Sequence, residues 1–162
     1  MTIENFEINP IDVVEDVIHQ KKWTFSRADD YELVAEIASK WCQYRLYFTW
    51  SEEIKAISFT VTFDLKFPNN RINDAHKLLA LINEKLWIGH FDITSRNGIP
   101  AFRHTVLSLP EHVVLHNQLE DLVDIAIYEC EKYYPSFQMV LFDGSDPSQA
   151  INLSAFDTIG QA

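Results

Sequence analysis

The chain has 162 residues, of which 47% are hydrophobic and 23% charged, and a formal net charge of −11. This composition excludes a disordered chain and leaves enough length for one core. The acidity disfavours phosphate backbones, and only four glycines occur, so nucleic-acid binding and glycine-rich phosphate loops are not expected.

Asn9-Pro10-Ile11-Asp12 reads as a helix start: a capping side chain, a proline suited to the first turn, and an acid that complements the helix dipole. An apolar stripe through Val13, Val14, Val17 and Ile18 predicts a helix to about Gln20. Trp23-Thr24-Phe25 predicts a short strand before a turn at Asp29-Asp30. Two further strands are expected, with Tyr31, Leu33, Ala35 and Ile37 alternating in one and Tyr44, Leu46, Phe48 and Trp50 in the next. The clearest alternation follows a turn at Ser51-Glu52-Glu53. Ile57, Phe59, Val61, Phe63, Leu65 and Phe67 face one way, and Ser58, Thr60, Thr62, Asp64 and Lys66 the other. Short turns between such strands imply antiparallel pairing.

Ile72, Ala75, Leu79, Ile82 and Leu86 carry a helical period, and Gly89 is expected to terminate that helix directly before a strand His90–Ile93. Asn97-Gly98 predicts a two-residue hairpin in which Ile93 faces Phe102, Asp92 faces Arg103, Phe91 faces His104 and His90 faces Thr105. Asn117-Gln118-Leu119-Glu120 resembles a capping box, and Pro135 is expected to end or kink the helix it starts. Phe137–Phe142 predicts a helical continuation stopped near Gly144, and Asp146-Pro147 a last short helix. The fold class is therefore α+β, an antiparallel sheet with helices packed on one face, in the order helix, three or four strands, helix, two strands, helix. Residues 1–162 are expected to form a single domain, with 1–8 a tail and 146–162 a helical extension.

No catalytic constellation, cofactor site or metal site is expected. His112 and His116 have helical spacing but lack the glutamate of a zincin motif, and the β-branched stretch between them suggests a loop or strand. Asp143-Gly144-Ser145-Asp146 is too short for a calcium loop. Cys42 and Cys130 lie among apolar residues, far apart in sequence. His90, Asp92 and Arg103 are expected to share one hairpin face, as an acid/base pair beside an anion-binding arginine or as a plain cross-strand ion pair. Tyr47, Thr49, Thr60 and Thr62 are expected to line a polar sheet face suited to a dimer or peptide contact. Residues 111–162 hold nine acids against Lys132 alone, a balance that steers basic partners or simply favours solubility. The start of the chain lacks a signal-peptide pattern and no apolar run spans a bilayer, so a cytoplasmic protein is expected.

Asp30-Tyr31-Glu32-Leu33-Val34-Ala35-Glu36, Trp41–Trp50, Leu81–Asp92, Phe102-Arg103-His104 and Glu131–Phe142 together resemble the YbjN family of bacterial proteins, over roughly Trp23 to Gly160. The Leu81–Asp92 stretch is the most specific of these. The resemblance implies a sensory transduction regulator with a fold like that of type III secretion chaperones, which are dimers that bind extended segments of partner proteins. It carries no catalytic residues. The expected function is thus a non-catalytic regulatory or chaperone-like protein acting through protein contacts, as a homodimer, with Tyr47, Thr49, Trp87, Gly89, His90, Asp92 and Arg103 as candidate contact residues. The alternative is a small-molecule-binding domain or enzyme with a site near Trp87, His90, Asp92 and Arg103.

Overall fold

The computed structural model describes residues 8–94, 96–107 and 112–152. Helix α1 (Pro10–Gln20) begins as the sequence predicts, with the Asn9 side chain accepting from the Ile11 N–H at 2.9 Å. Four strands follow, β1 (Thr24–Arg27), β2 (Glu32–Ala38), β3 (Gln43–Ser51) and β4 (Ala56–Thr62). A short 3-10 turn at Asn69–Arg71 leads into α2 (Ile72–Asn83). Strands β5 (His90–Ile93) and β6 (Pro100–Leu107), the long α3 (His112–Phe142) and a short α4 over 147–152 complete the order. The six strands form one antiparallel sheet in the order β1-β2-β3-β4-β6-β5.

The alternation read from the sequence decides which sheet face is covered. Leu33, Ala35 and Ile37 of β2, Tyr44, Leu46, Phe48 and Trp50 of β3, and Ile57, Phe59 and Val61 of β4 are all buried beneath the helices. Beyond β4 the same phase continues without a ladder: Phe63, Leu65 and Phe67 are buried, and Asp64 and Lys66 are exposed. An aromatic group forms the centre of the core. The ring centroid of Phe91 lies 5.5 Å from that of Phe102, 5.8 Å from Phe137, and 6.0 Å from both Phe63 and Tyr133. Tilted and edge-on rings at these separations add to the burial of their area. Helix α3 supplies Tyr133, Tyr134 and Phe137 to this group, and α1 packs beside α3.

Four local expectations are corrected. Helix α2 ends at Asn83, six residues before Gly89. Gly89 does have a positive φ of +69°, but its role is close approach: an added Cβ would lie 2.8 Å from Phe102 Cε2 and 2.9 Å from the Arg103 carbonyl. The hairpin register is His90 opposite Arg103, Phe91 opposite Phe102, Asp92 opposite Ala101 and Ile93 opposite Pro100. Each residue of β5 therefore meets a partner two positions earlier than a two-residue Asn-Gly turn would give. Asn97 and Gly98 sit inside a longer loop, where Asn97 Oδ1 accepts from the Ile99 N–H and the Gly98 carbonyl accepts from the Phe67 N–H. Gly98 is required by its positive φ and by the Phe67 carbonyl, which occupies the space a Cβ would fill.

The other two corrections concern α3. It starts at His112 rather than at Asn117, so His112 and His116 are on a helix and not in a loop or strand; the His112 side chain lies outside the described residues. The helix also runs through Pro135 to Phe142, so Pro135 does not end it, while the helical continuation over Phe137–Phe142 is as predicted. It stops where expected: the Asp143 and Ser145 N–H groups both donate to the Met139 carbonyl, around Gly144 at φ +63°. Arg71 donates to the Val140 carbonyl in the same last turn, and Ser136 holds α4 by donating to the Ala150 carbonyl at 2.9 Å.

Substituting Gly89→Ala forces a side chain against Phe102 in a left-handed conformation. We expect a loss of about 1–3 kcal/mol in urea-unfolding free energy, whereas an unchanged midpoint would show that this approach is not a constraint.

Candidate functional site

Two features outside the core stand out, the corner between α2 and β5 and the helix-free face of the sheet. The corner is set by Asn83, the last residue of α2. Its side-chain Nδ2 donates to the Phe91 carbonyl at 2.9 Å, and its Oδ1 accepts from the Phe91 N–H at 2.7 Å. A single amide thus pairs both backbone groups that Phe91 turns away from β6, as a seventh strand would. The chain between them loops outward and presents Trp87 with 99% of its surface exposed. A tryptophan so placed contributes nothing to the core, while tryptophan is among the side chains most enriched at protein contacts.

Across the open sheet face the register generates two rows. One runs Val34, Tyr47, Thr60, Arg103, His90, and the other Glu36, Arg45, Thr62, Ala101, Asp92. Over these rows lies a trough of about 600 Å³, lined among others by Arg45, Tyr47, Thr60, Thr62, Ala101 and Arg103 of the sheet and by Thr94, Asn97 and Ile99 of the segment between β5 and β6. Arg45 is bound at its Nε and Nη2 by one oxygen of Glu36, at 3.1 and 2.8 Å. Hydrogen bonding to Tyr47 and then to Glu36 raises the Arg45 pKa above its ordinary value. Arg103 lies diagonally from Asp92, with Nε 2.7 Å from Oδ2, and its Nη1 donates to Thr60 Oγ1 at 3.4 Å. The Nε–Oδ2 approach is an ion pair by distance but lacks hydrogen-bond geometry, and Asp92 Oδ1 is buried without a hydrogen-bond partner.

The structure therefore brings His90, Asp92 and Arg103 together on one face, as the sequence suggested, although Asp92 and Arg103 meet diagonally and not directly opposite. Tyr47 and Thr49 share that face, and Thr49 stands opposite Ser58. Of Trp87, His90, Asp92 and Arg103, only Arg103 lines the trough. Arg45 and Ala101 are not among the residues the sequence singles out, since the trough is assembled from strands whose register no local pattern reveals. A cue was present in Arg45, a cation on the polar phase of β3.

The remaining reactive groups lie inside the fold. Cys42 and Cys130 are free and buried. Burial pushes the Cys42 thiol up to about 11 and raises that of Cys130 well above its usual value, so both are neutral thiols at physiological pH. Among the described residues no three histidine, cysteine or acidic side chains gather as metal ligands would. His104 is half-buried on the inner face, beside Phe102 and Val106. Burial, reinforced by the charge of His90, holds it below the ordinary histidine value. The folded state thus binds this proton less readily than the unfolded chain, and stability is lost as pH falls below about 6.5. We expect His104→Leu to gain unfolding free energy relative to the parent as urea titrations are moved from about pH 7 to about pH 5; a constant difference would contradict this.

The YbjN family model, described as "Putative bacterial sensory transduction regulator", matches residues 10–139. Among solved structures the chain is similar to "YbjN, a putative transcription regulator from E. coli", at 10% identity and a TM-score of 0.48, over 76% of this chain and 93% of the other. No curated protein matches the sequence.

Proposed function

The chain belongs to the YbjN family, and from that premise we propose that it regulates through protein contacts and not by catalysis, with the Trp87 corner as its principal docking point. The observation that carries this reading is the combination of a fully exposed Trp87 with a sealed backbone beneath it. Asn83 fixes the root of the loop at Phe91, so Trp87 is displayed from an anchored frame. Preorganised aromatic anchors lose little freedom on binding. His90 and the Asp92–Arg103 pair lie next to this corner, and Tyr47 and Thr49 extend a polar contact face away from it.

The family resemblance supports finer features of the same reading: a homodimer, and a chaperone-like manner of binding an extended segment of a partner. The net charge of −11 supports protein partners over nucleic acid. Among the described residues no helix is long and apolar enough to cross a membrane, which is compatible with a cytoplasmic regulator. The enzyme reading is less well supported, because Trp87, His90 and Asp92 do not line the trough that holds Arg103.

Sedimentation velocity and capture from a bacterial lysate test this reading. We expect a dimer, and a Trp87→Ala variant that weakens capture of its protein partner at least about tenfold, roughly 1.4 kcal/mol, with an unchanged urea midpoint. A strict monomer that captures no protein would contradict it.

A further inference from the structure

We propose that the trough on the open sheet face is a binding site for a small multivalent anion, a polycarboxylate or a phosphate, held between Arg45 and Arg103. This goes beyond the docking role of Trp87 and does not depend on it. The register places the two arginines two strands and one residue pair apart, a Cα separation of about 12 Å. On the sheet between them stand the short side chains of Thr60, Thr62 and Ala101. Long cationic side chains on either side of a short-chain floor leave a depression that two guanidinium groups can reach across.

Each arginine is oriented from one end. Glu36 takes the Nε and Nη2 of Arg45, and Asp92 faces the Nε of Arg103 while Thr60 receives its Nη1. A guanidinium has five N–H donors in a planar fork, so Glu36 at the Nε side of Arg45 fixes its plane by two hydrogen bonds, Asp92 holds Arg103 by charge alone, and both arginines keep further donors for a second anion. Arg45 and Arg103 remain 55% and 39% exposed at the side chain, which keeps those donors available to a ligand. The Asn97 side chain in the wall and the hydroxyls of Tyr47, Thr60 and Thr62 supply neutral hydrogen-bonding partners. At about 600 Å³ the trough matches the usual size of small-molecule sites. Its chemistry selects a compact ligand with two anionic groups, either carboxylates or phosphate oxygens. Glu36, Asp64 and Asp92 set three carboxylates against the two arginines, so the surrounding charge opposes an anion and a ligand binds only by direct contact with both guanidinium groups.

Isothermal titration calorimetry on the full chain, with citrate and with inorganic phosphate in separate arms, tests this and distinguishes the two anion types. We expect saturable binding of at least one. The Arg45→Gln/Arg103→Gln double variant should bind at least about tenfold more weakly, and Lys77→Gln, an exposed lysine on α2, should bind normally. Thr62→Leu, which fills the floor while keeping both charges, should also lose binding; circular dichroism checks that each variant is folded. Absence of heat with both anions at millimolar concentration overturns the site. Equal weakening by Lys77→Gln, or full binding by Thr62→Leu, shows an adventitious charge effect and overturns it equally.

Discussion

The pairing of Asn83 with Phe91 is the contact on which the rest of this architecture depends. Strand β5 has only four residues and lies at the edge of the sheet. Such a strand is weakly held by one ladder and exposes backbone groups to stray pairing. The Asn83 amide satisfies both outward groups of Phe91, and this fixes the strand's phase. With the phase fixed, the Phe91 ring enters the core among Phe63, Phe102, Tyr133 and Phe137, and α3 has a surface to pack on. Asp92 and His90 then fall on the opposite face, beside Arg103. One side-chain amide thereby links helix α2, the sheet edge, the aromatic core and the polar face.

This arrangement divides the molecule. Apart from Val34 and Tyr47, the large apolar side chains of β2, β3 and β4 are directed to the helical side, which leaves the other face largely free of core duty. That face retains charged pairs such as Glu36–Arg45 and Asp92–Arg103, which contribute little stability in their exposed positions. Their value lies in orienting side chains. Arg103 is common to both surface features: it lines the trough, and it stands opposite His90 at the foot of the Trp87 loop.

Much of this was legible in the sequence because period-2 alternation survives in any sheet with one buried face. Ile57 to Phe67 declared its inner and outer sides even where the ladder had ended, and Asn9-Pro10 announced α1 at the right residue. What was not legible concerned glycine and register. A glycine with positive φ reads the same whether it ends a helix, makes a turn or admits a neighbour; Gly89 needed knowledge of the Phe102 ring, and Gly98 of the Phe67 carbonyl, 31 positions earlier in sequence. The start of α3 was missed because the β-branched Val113-Val114 has weak helical propensity, which packing of Leu115 and Leu119 overrides. The faces of β5 were nevertheless assigned correctly, since a shift of two residues in register keeps every side chain on its side.

Amide hydrogen exchange at Phe91 tests the central claim most directly. If the Asn83 side chain seals the edge, the Phe91 N–H exchanges as slowly as the ladder amides of β3 and β4, and Asn83→Ala speeds it by at least about tenfold relative to those amides. A Phe91 amide that exchanges in the parent protein like a solvent-facing edge group, or that is indifferent to loss of the Asn83 side chain, would contradict the account.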